Sequence, residues 1–184
     1  MDRNNLGQRR GRATKVPNQV GREVRPQVKQ LEPSARLRKA LSLEDIEDVL
    51  LLVQPQVRKK ALQLTWNNEL QGELDLPASP VRQVLINLLL NAVQAANDGG
   101  QVECTIRRQG GKLSLLIDND GRLLTAAQMS HLFEPFSPLS EGGHGLGLWV
   151  SYQIVQQLGG AIHAECKGGH MQFTVELPIG ESTT

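Results

Sequence analysis

The sequence predicts a two-layer α/β domain, in which a mixed, mostly antiparallel sheet is covered on one face by helices. Three observations support this fold class. Three segments carry apolar residues at helical spacing, two pairs of strand-like segments are joined by Gly-Gly turns, and helices and hairpins alternate along the chain. Hydrophobic residues form 39% of the sequence but aromatic residues only 3%, so Leu and Val must fill most of the core.

The first predicted helix begins at Ser42. Ser42 is a good N-cap residue, and Asp45 stands where it can complete a capping box. Pro55 is expected to break or bend this helix, because proline has no N–H for the helix interior. A short strand with alternating apolar residues follows at 62–66.

The longest predicted helix covers residues 79–97. Ser79 is a suitable N-cap, Pro80 suits the first helical position, and the sequence NDGG at 97–100 provides a stop. One stripe of this helix has the spacing of a core-facing surface and consists of Val81, Leu85, Leu88, Ala92 and Ala96.

The second half of the chain is predicted to contain two hairpins, each with a pair of glycines at its turn. Their strands are QVECTIR with KLSLLID and AIHAECK with HMQFTVEL. A short helix at 125–133 and a longer one over LGLWVSYQIVQQL, ended by Gly159-Gly160, lie between the hairpins.

Charge is distributed unevenly along the chain. Residues 1–40 contain 11 Lys or Arg and 3 Asp or Glu, a net charge of +8, whereas the remaining residues have a net charge of −7. The basic segment has no sustained apolar periodicity, so we predict a disordered arm or truncated linker there, a domain over 41–180 and a tail over 181–184. We favour a solvated arm over one that binds nucleic acid or a lipid surface.

Apolar runs such as VLLLV at 49–53 are too short to cross a bilayer, and no secretory signal is recognisable. The two cysteines, Cys104 and Cys166, imply no disulfide framework. We therefore expect a chain without a membrane segment that works in the cytoplasm, while a longer protein containing it could be membrane-associated.

Two asparagines, Asn87 and Asn91, lie four residues apart in the longest helix, so their side chains share a face. Mg²⁺ prefers hard oxygen ligands and usually keeps substrate phosphates in its coordination shell. A carboxamide oxygen is such a ligand and adds no negative charge beside the phosphates. The pair is therefore a candidate metal site, and local hydrogen bonding is the alternative explanation.

Two glycine-containing segments and one aromatic segment follow. SLLIDNDGRLL brings Asp118-Asn119-Asp120 to the end of a strand, either as a simple turn or as a group that binds an exocyclic amine such as that of adenine. EGGHGLGLWVSYQIV runs into a helix whose first N–H groups suit a phosphate, with a plain flexible loop as the alternative. Between them, HLFEPF is either a lid hinge over a ligand or a loop anchored by its two phenylalanines.

Together these segments resemble the ATP-binding catalytic domain of sensor histidine kinases, within the GHKL group of ATPases. The motifs are the asparagine box RQVLINLLLNAVQAANDGG, the first glycine box DNDGRLL, the phenylalanine box LFEPF and the second glycine box GHGLGL. The resemblance covers about residues 41–178, and NAVQAAN is similar to the subgroup that includes nitrogen-regulation sensor kinases. It implies the Bergerat ATP-binding fold, ATP or ADP and Mg²⁺ as ligands, and ATP-dependent protein histidine kinase activity.

The resemblance also implies roles for individual residues. Asn91 would be the main Mg²⁺ ligand and Asn87 would assist it, so that both contribute to catalysis through the metal. The expected nucleotide-binding residues are Asn91, Asp118, Asn119, Asp120, Gly121, Phe133, Phe136, Gly143, His144, Gly145, Leu146, Gly147 and Leu148.

Two alignments of the first glycine box stay open. In the first, strand alternation sets the register, Asn119 occupies the position of the family's adenine-binding carboxylate, and Leu123 stands where a second glycine is usual. In the second, Asp118 is the carboxylate, and neither of the two usual glycine positions of the box then holds a glycine. We favour the first alignment, because the apolar residues of the strand then all point inward.

Kinases of this family phosphorylate a histidine on a dimerisation helix that precedes the asparagine box, but the four histidines of this chain all follow it. The resemblance therefore implies a histidine-bearing dimerisation domain in the same longer protein or in trans, a response regulator as a further partner, and a monomeric isolated domain. Residues 125–145 would form the lid. Its segment between Phe136 and Leu146 lacks the usual Lys or Arg and is predicted to be disordered without nucleotide.

Three alternatives stay open. They are a degenerate GHKL nucleotide-binding or scaffolding module without phosphotransfer, a GHKL protein serine kinase of the anti-sigma type, and a GHKL chaperone or DNA-processing ATPase. The altered first glycine box favours the first alternative, and the short lid argues against the last.

Overall fold

A computed structural model of the protein describes residues 39–136 and 146–180. The predictions for the basic arm, the segment 137–145 and the C-terminal tail lie outside the described residues. The elements are β1 Ala40–Leu41, α1 Leu43–Lys59, β2 Gln63–Asn68, β3 Leu74–Pro77, α2 Ala78–Ala95, β4 Gln101–Gln109, β5 Lys112–Asn119, α3 Ala126–Ser130, α4 Gly147–Gln157, β6 Ala161–Lys167 and β7 His170–Pro178.

Five strands form one mixed sheet in the order β2-β4-β5-β7-β6. β2 runs parallel to β4, with α2 in the connection between them, and every other neighbouring pair is antiparallel. β1 and β3, which the sequence did not predict, form a separate two-stranded ladder. Helices α1, α2 and α4 share one hydrophobic core with the sheet. The predicted two-layer fold class with a mixed, mostly antiparallel sheet is confirmed.

Alternation along β5 shows which face of the sheet the helices cover. Leu113, Leu115 and Ile117 are at most 1% exposed and belong to the same core as the helices. Leu116 and Asp118, on the opposite face, are more exposed. The strand thus delivers every second residue to the helix side, as its sequence predicts.

Helix α1 begins with the predicted capping box. The Asp45 N–H donates to Ser42 Oγ over 3.4 Å, and the Ser42 N–H donates to the Asp45 carboxylate over 3.0 Å. The helix is not broken at Pro55 but continues for a further turn. Pro55 lies on the exposed side, where water can satisfy the carbonyl left without a donor, while Val53 and Val57 on either side of it remain in the core.

Helix α2 starts one residue earlier than predicted and ends at Ala95. Its N-cap position is Pro77 and has no side-chain cap, so the prediction of Ser79 as the N-cap is wrong, and Ser79 and Pro80 both lie in the first turn. Proline is tolerated there because first-turn N–H groups have no partner within the helix. The predicted apolar stripe is buried, at 0–3% exposure.

The last carbonyls of α2 are bound by Lys60, which follows α1. Its Nζ donates to the carbonyl oxygens of Val93 (3.1 Å), Gln94 (3.0 Å) and Ala96. A cation at a helix C-terminus stabilises the partial negative charge of these oxygens. No local pattern predicts this contact, since the lysine is at least 33 residues away from the carbonyls it binds.

Both predicted hairpins are confirmed. β4 and β5 turn through Gly110-Gly111, and β6 and β7 through Gly168-Gly169. All four glycines have positive φ, between 57° and 83°, which a two-residue turn of this kind requires and glycine adopts without strain. The short helix α3 covers less than the predicted 125–133 but starts with a capping box between Thr125 and Gln128.

Candidate functional site

Asn87 on α2 is hydrogen-bonded to the first turn of α4. Its Nδ2 donates to the Gly147 carbonyl oxygen over 3.1 Å and to Ser151 Oγ over 3.2 Å. Its Oδ1 accepts a hydrogen bond from Gln83 Nε2 over 2.8 Å. The carboxamide therefore connects the helix of the asparagine box to the helix that follows the second glycine box.

Asn91 lies one turn further along α2 and is half-buried. Within the described ranges its side chain makes no hydrogen bond, in contrast to Asn87. A carboxamide oxygen that has no protein donor is available to a ligand or cation. The structure thus distinguishes the two predicted metal ligands, since Asn87 is hydrogen-bonded to its surroundings and Asn91 has no hydrogen bond to a described residue.

The first turn of α4 has no side-chain cap. Its N-cap residue is Leu146, and the first N–H groups of a helix have no carbonyl partner within the helix. A Cβ added at Gly147 would lie 3.9 Å from Asn87, so α4 begins in contact with α2. Uncapped N–H groups at a helix start suit an anion. Leu148 is half-buried in the same turn, and Gly143, His144 and Gly145 lie outside the described residues.

Asn119, at the end of β5, is completely buried on the helix side of the sheet. Its Nδ2 donates to the Asp120 carbonyl oxygen over 2.6 Å, while its Oδ1 has no hydrogen-bond partner among the residues that the structure describes. A buried acceptor left without a donor costs about 1–3 kcal/mol. Asn119 Oδ1 is therefore an acceptor that a bound group could satisfy.

Gly121 and Asp120 hold the end of β5 against its neighbours. Gly121 has a φ of +106°, and an added Cβ would lie 2.9 Å from Ala96 Cα and closer still to the Ala95 carbonyl oxygen. The Asp120 carboxylate packs against Gly100 in the same way, and its Oδ1 is buried without a partner in the described part of the chain. The strand end is thereby placed beside the last turn of α2.

Asp118 faces away from Asn119, on the open side of the sheet. Its carboxylate accepts hydrogen bonds from Gln172 Nε2 over 2.6 Å and from His170 Nδ1, both on β7. The hydrogen bond to Asp118 and then the charge of Asp118 raise the pKa of His170 above its usual value, despite an opposing effect of burial. Asp118 is engaged in a cross-strand contact, and Asn119, not Asp118, shares the face of the helices.

The raised pKa of His170 makes the stability of the fold depend on pH. The folded state binds the His170 proton more tightly than the unfolded state does. The resulting contribution to the free energy of unfolding is therefore fully present below the unfolded-state pKa of about 6.5, and it is lost as the pH rises through the higher folded-state pKa. We expect the gap in urea midpoint between the wild type and His170→Asn to be widest near pH 5.5 and to narrow toward alkaline pH. In an Asp118→Asn background most of this pH dependence should disappear, leaving the smaller effect of the Asp120 charge, and an undiminished dependence would assign the effect to another group.

The phenylalanine box is anchored at one end only. The ring of Phe133 stacks on Tyr152 of α4, with 5.7 Å between centroids, and Leu132 beside it is buried. Phe136 is 75% exposed and has a positive φ of 60°. The interpretation of both phenylalanines as core anchors therefore holds for Phe133 alone.

Sequence reasoning missed two residues of this region, Ser151 and Tyr152. Each lies on α4 and meets a residue of a predicted motif, Ser151 at Asn87 and Tyr152 at Phe133. A serine at a position where the helix faces the core was a signal for Ser151. Nothing local predicts the aromatic pair.

None of the helices in residues 39–136 and 146–180 is both long and apolar enough to span a membrane.

Comparison with known proteins places the chain among ATP-binding domains. Residues 77–181 match the family described as histidine kinase-, DNA gyrase B-, and HSP90-like ATPase. Sensor histidine kinase ZraS of Escherichia coli K12 is 30% identical over 168 residues, which cover 90% of this chain and 36% of ZraS. The chain therefore spans little more than a third of this curated relative.

Solved structures show the same fold. The nucleotide-free catalytic domain of histidine kinase ThkA has a TM-score of 0.71 and 26% identity, and the match covers 77% of this chain and 95% of that domain. ThkA in complex with the response regulator protein TrrA has a TM-score of 0.66 and 23% identity, over 80% of this chain and 43% of that chain. With residues 77–181 matching the family and the fold that of a histidine kinase catalytic domain, the chain belongs to the histidine kinase-, DNA gyrase B- and HSP90-like ATPases.

Proposed function

We propose that residues 41–180 form the catalytic domain of a sensor histidine kinase, which binds Mg-ATP and donates the γ-phosphoryl group to a histidine on a separate dimerisation domain. The observation that carries this proposal is the contact at Asn87. This contact joins α2, which carries both candidate metal-binding carboxamides, to the uncapped start of α4. The proposed cation site and the proposed phosphate site are thus adjacent, as a Mg-polyphosphate requires.

The described residues fit a nucleotide base. Asn119 offers a buried Oδ1 without a partner, and its Nδ2 is already used by the Asp120 carbonyl. Asn119 Oδ1 therefore lacks a hydrogen-bond donor among the described residues, and the exocyclic amine of adenine would supply one. An uncharged carboxamide would therefore take the role that a carboxylate has in the related kinases.

The described residues also fit Mg²⁺, which when bound would neutralise charge on the phosphates. Asn91 is the proposed main ligand because its carboxamide makes no other hydrogen bond within the described ranges. Asn87 Oδ1 already accepts a hydrogen bond from Gln83, so it would assist through its second lone pair. No nucleophile of this chain is needed, since positioning and charge neutralisation are the domain's contributions to phosphoryl transfer.

The phosphoacceptor histidine and the response regulator are proposed as partners. ThkA, which shares the fold, has been solved with the response regulator TrrA, and a regulator of that kind is the proposed final acceptor for this chain. ATP is supplied in the cytoplasm, so the proposed reaction takes place there. The isolated domain is proposed to be a monomer.

Phosphoryl transfer in trans tests the proposal. The chain is incubated with radiolabelled Mg-ATP and the cognate histidine-bearing dimerisation domain, with a His→Gln variant of the acceptor as control. We expect a phosphate on the acceptor that is labile in acid and stable in base, and none on the control. Acid-stable phosphate on serine would instead show a protein serine kinase.

A nucleotide-binding module without transfer is the second candidate. It is favoured by Asn119 and by Leu123, which is 45% exposed at the position of the second glycine of the first glycine box. Nucleotide binding by the chain with no transfer to any acceptor would identify this function.

A further inference from the structure

Ser151 on α4 is a fully buried polar residue that lies outside the four boxes. Its side chain is 0% exposed, and its Oγ donates to the Gly147 carbonyl oxygen one turn earlier over 2.9 Å. The same Oγ accepts the hydrogen bond from Asn87 Nδ2. Since Asn87 Nδ2 also reaches the Gly147 carbonyl, Ser151, Asn87 and Gly147 form a closed set of hydrogen bonds between α2 and α4, called here the α2–α4 bridge.

Both the nitrogen and the oxygen of the Asn87 carboxamide are hydrogen-bonded. Nδ2 has two acceptors on α4, and Oδ1 has a donor, Gln83, one turn earlier on α2. Buried or half-buried polar groups that are fully satisfied hold one geometry, because any shift leaves a donor or acceptor unpaired. Asn87 is therefore fixed on both sides, while Asn91 one turn away makes no such bond within the described ranges.

We propose that Ser151 and Asn87 are positioning residues, which hold the first turn of α4 at a fixed offset from Asn91. This inference rests on the proposed function. The phosphate at the start of α4 and the cation at Asn91 would belong to one Mg-polyphosphate. The phosphate can therefore contact α4 while the cation contacts Asn91 only if the two helices keep that offset. The bridge then determines how much Mg²⁺ strengthens nucleotide binding, and not whether the helices fold.

The test compares Ser151→Ala with Ser114→Ala. Ser114 is also buried, at 9% exposure, but lies on β5 away from the bridge. Isothermal titration of the full chain gives Kd for ATP in Mg²⁺ and in EDTA, and their ratio is the enhancement by Mg²⁺. We expect Ser151→Ala to reduce this enhancement about three- to tenfold, the range for loss of one neutral hydrogen bond. Ser114→Ala should leave it unchanged.

A double-mutant cycle separates the bridge from unrelated damage. If Ser151 acts through Asn87, the double variant Asn87→Ala/Ser151→Ala should lose no more enhancement than Asn87→Ala alone. Near-UV circular dichroism confirms that each variant is folded, and Ser151→Thr, which keeps the hydroxyl, should retain the enhancement.

The failures of the two proposals are distinguishable. If the folded wild type binds no nucleotide, the proposed function is overturned and this inference falls with it. If the wild type binds Mg-ATP but Ser151→Ala weakens binding equally with and without Mg²⁺, or behaves like Ser114→Ala, only the positioning role is overturned. Additive losses in the double variant would overturn it as well.

Discussion

Replacing Asn91 with alanine is expected to weaken Mg²⁺-dependent binding of ATP by tenfold or more, about 1.4 kcal/mol. Its carboxamide is half-buried and without another hydrogen bond in the described ranges, so no hydrogen bond among those residues is lost with it. Binding of ATP in EDTA should change little. Isothermal titration with ATP and ADP, with and without Mg²⁺, measures the effect.

Asn67→Ala is the matched control for this prediction. Asn67 is an asparagine on β2 whose Nδ2 donates to Glu103, at the exposed edge strand of the sheet. Its replacement should leave the affinity for ATP unchanged both in Mg²⁺ and in EDTA. If Asn91→Ala weakened binding equally with and without Mg²⁺, Asn91 would serve the nucleotide pocket and not a metal.

Gly121→Ala is expected to cause the largest loss of stability of any single change considered for this protein. The backbone has a φ of +106°, and the new Cβ would overlap the Ala95 carbonyl oxygen. Because that atom belongs to the backbone of α2, the strand end or the helix end must move, and the free energy of unfolding should fall by about 3 kcal/mol or more. Urea unfolding followed by circular dichroism measures this loss.

Gly110→Ala is the control for the glycine substitution. Gly110 also has a positive φ, +57°, but an added Cβ would meet nothing within 4 Å. Its replacement should cost only the backbone strain, about 1–2 kcal/mol. Equal losses of unfolding free energy at Gly121 and Gly110 would show that the contact of Gly121 with α2 is not tight.

Movement of the strand end should also reduce ATP binding in Gly121→Ala, since Asn119 lies two residues away.

Local chemistry in the sequence predicted the parts of the fold that depend on neighbouring residues. The capping box at Ser42, the turn at Gly110-Gly111 and the buried stripe of α2 each follow from a pattern within a few residues. Strand alternation likewise placed Asn119 on the helix side, where the structure has it.

The features of the fold and site that the sequence did not predict depend on contacts between distant segments. Pro55 stays helical because valines on either side of it are buried against other elements, which outweighs one lost hydrogen bond. The β1–β3 ladder was missed because a two-residue strand carries no periodic signal. Ser151 meets Asn87 across 64 residues of sequence, and such a distance leaves no trace in helical periodicity.

The binding of Lys60 to the end of α2 has a consequence for the reactivity of the protein toward chemical reagents. Three carbonyl oxygens accept hydrogen bonds from its Nζ, which matches the three hydrogens of an ammonium group. A reagent must reach the amine to acylate it, and here the Nζ is held against a helix end, with the Lys60 side chain 24% exposed. Acylating reagents should therefore modify the exposed Lys59 beside it first, and modification of Lys60 would report the moment at which the last turn of α2 unwinds.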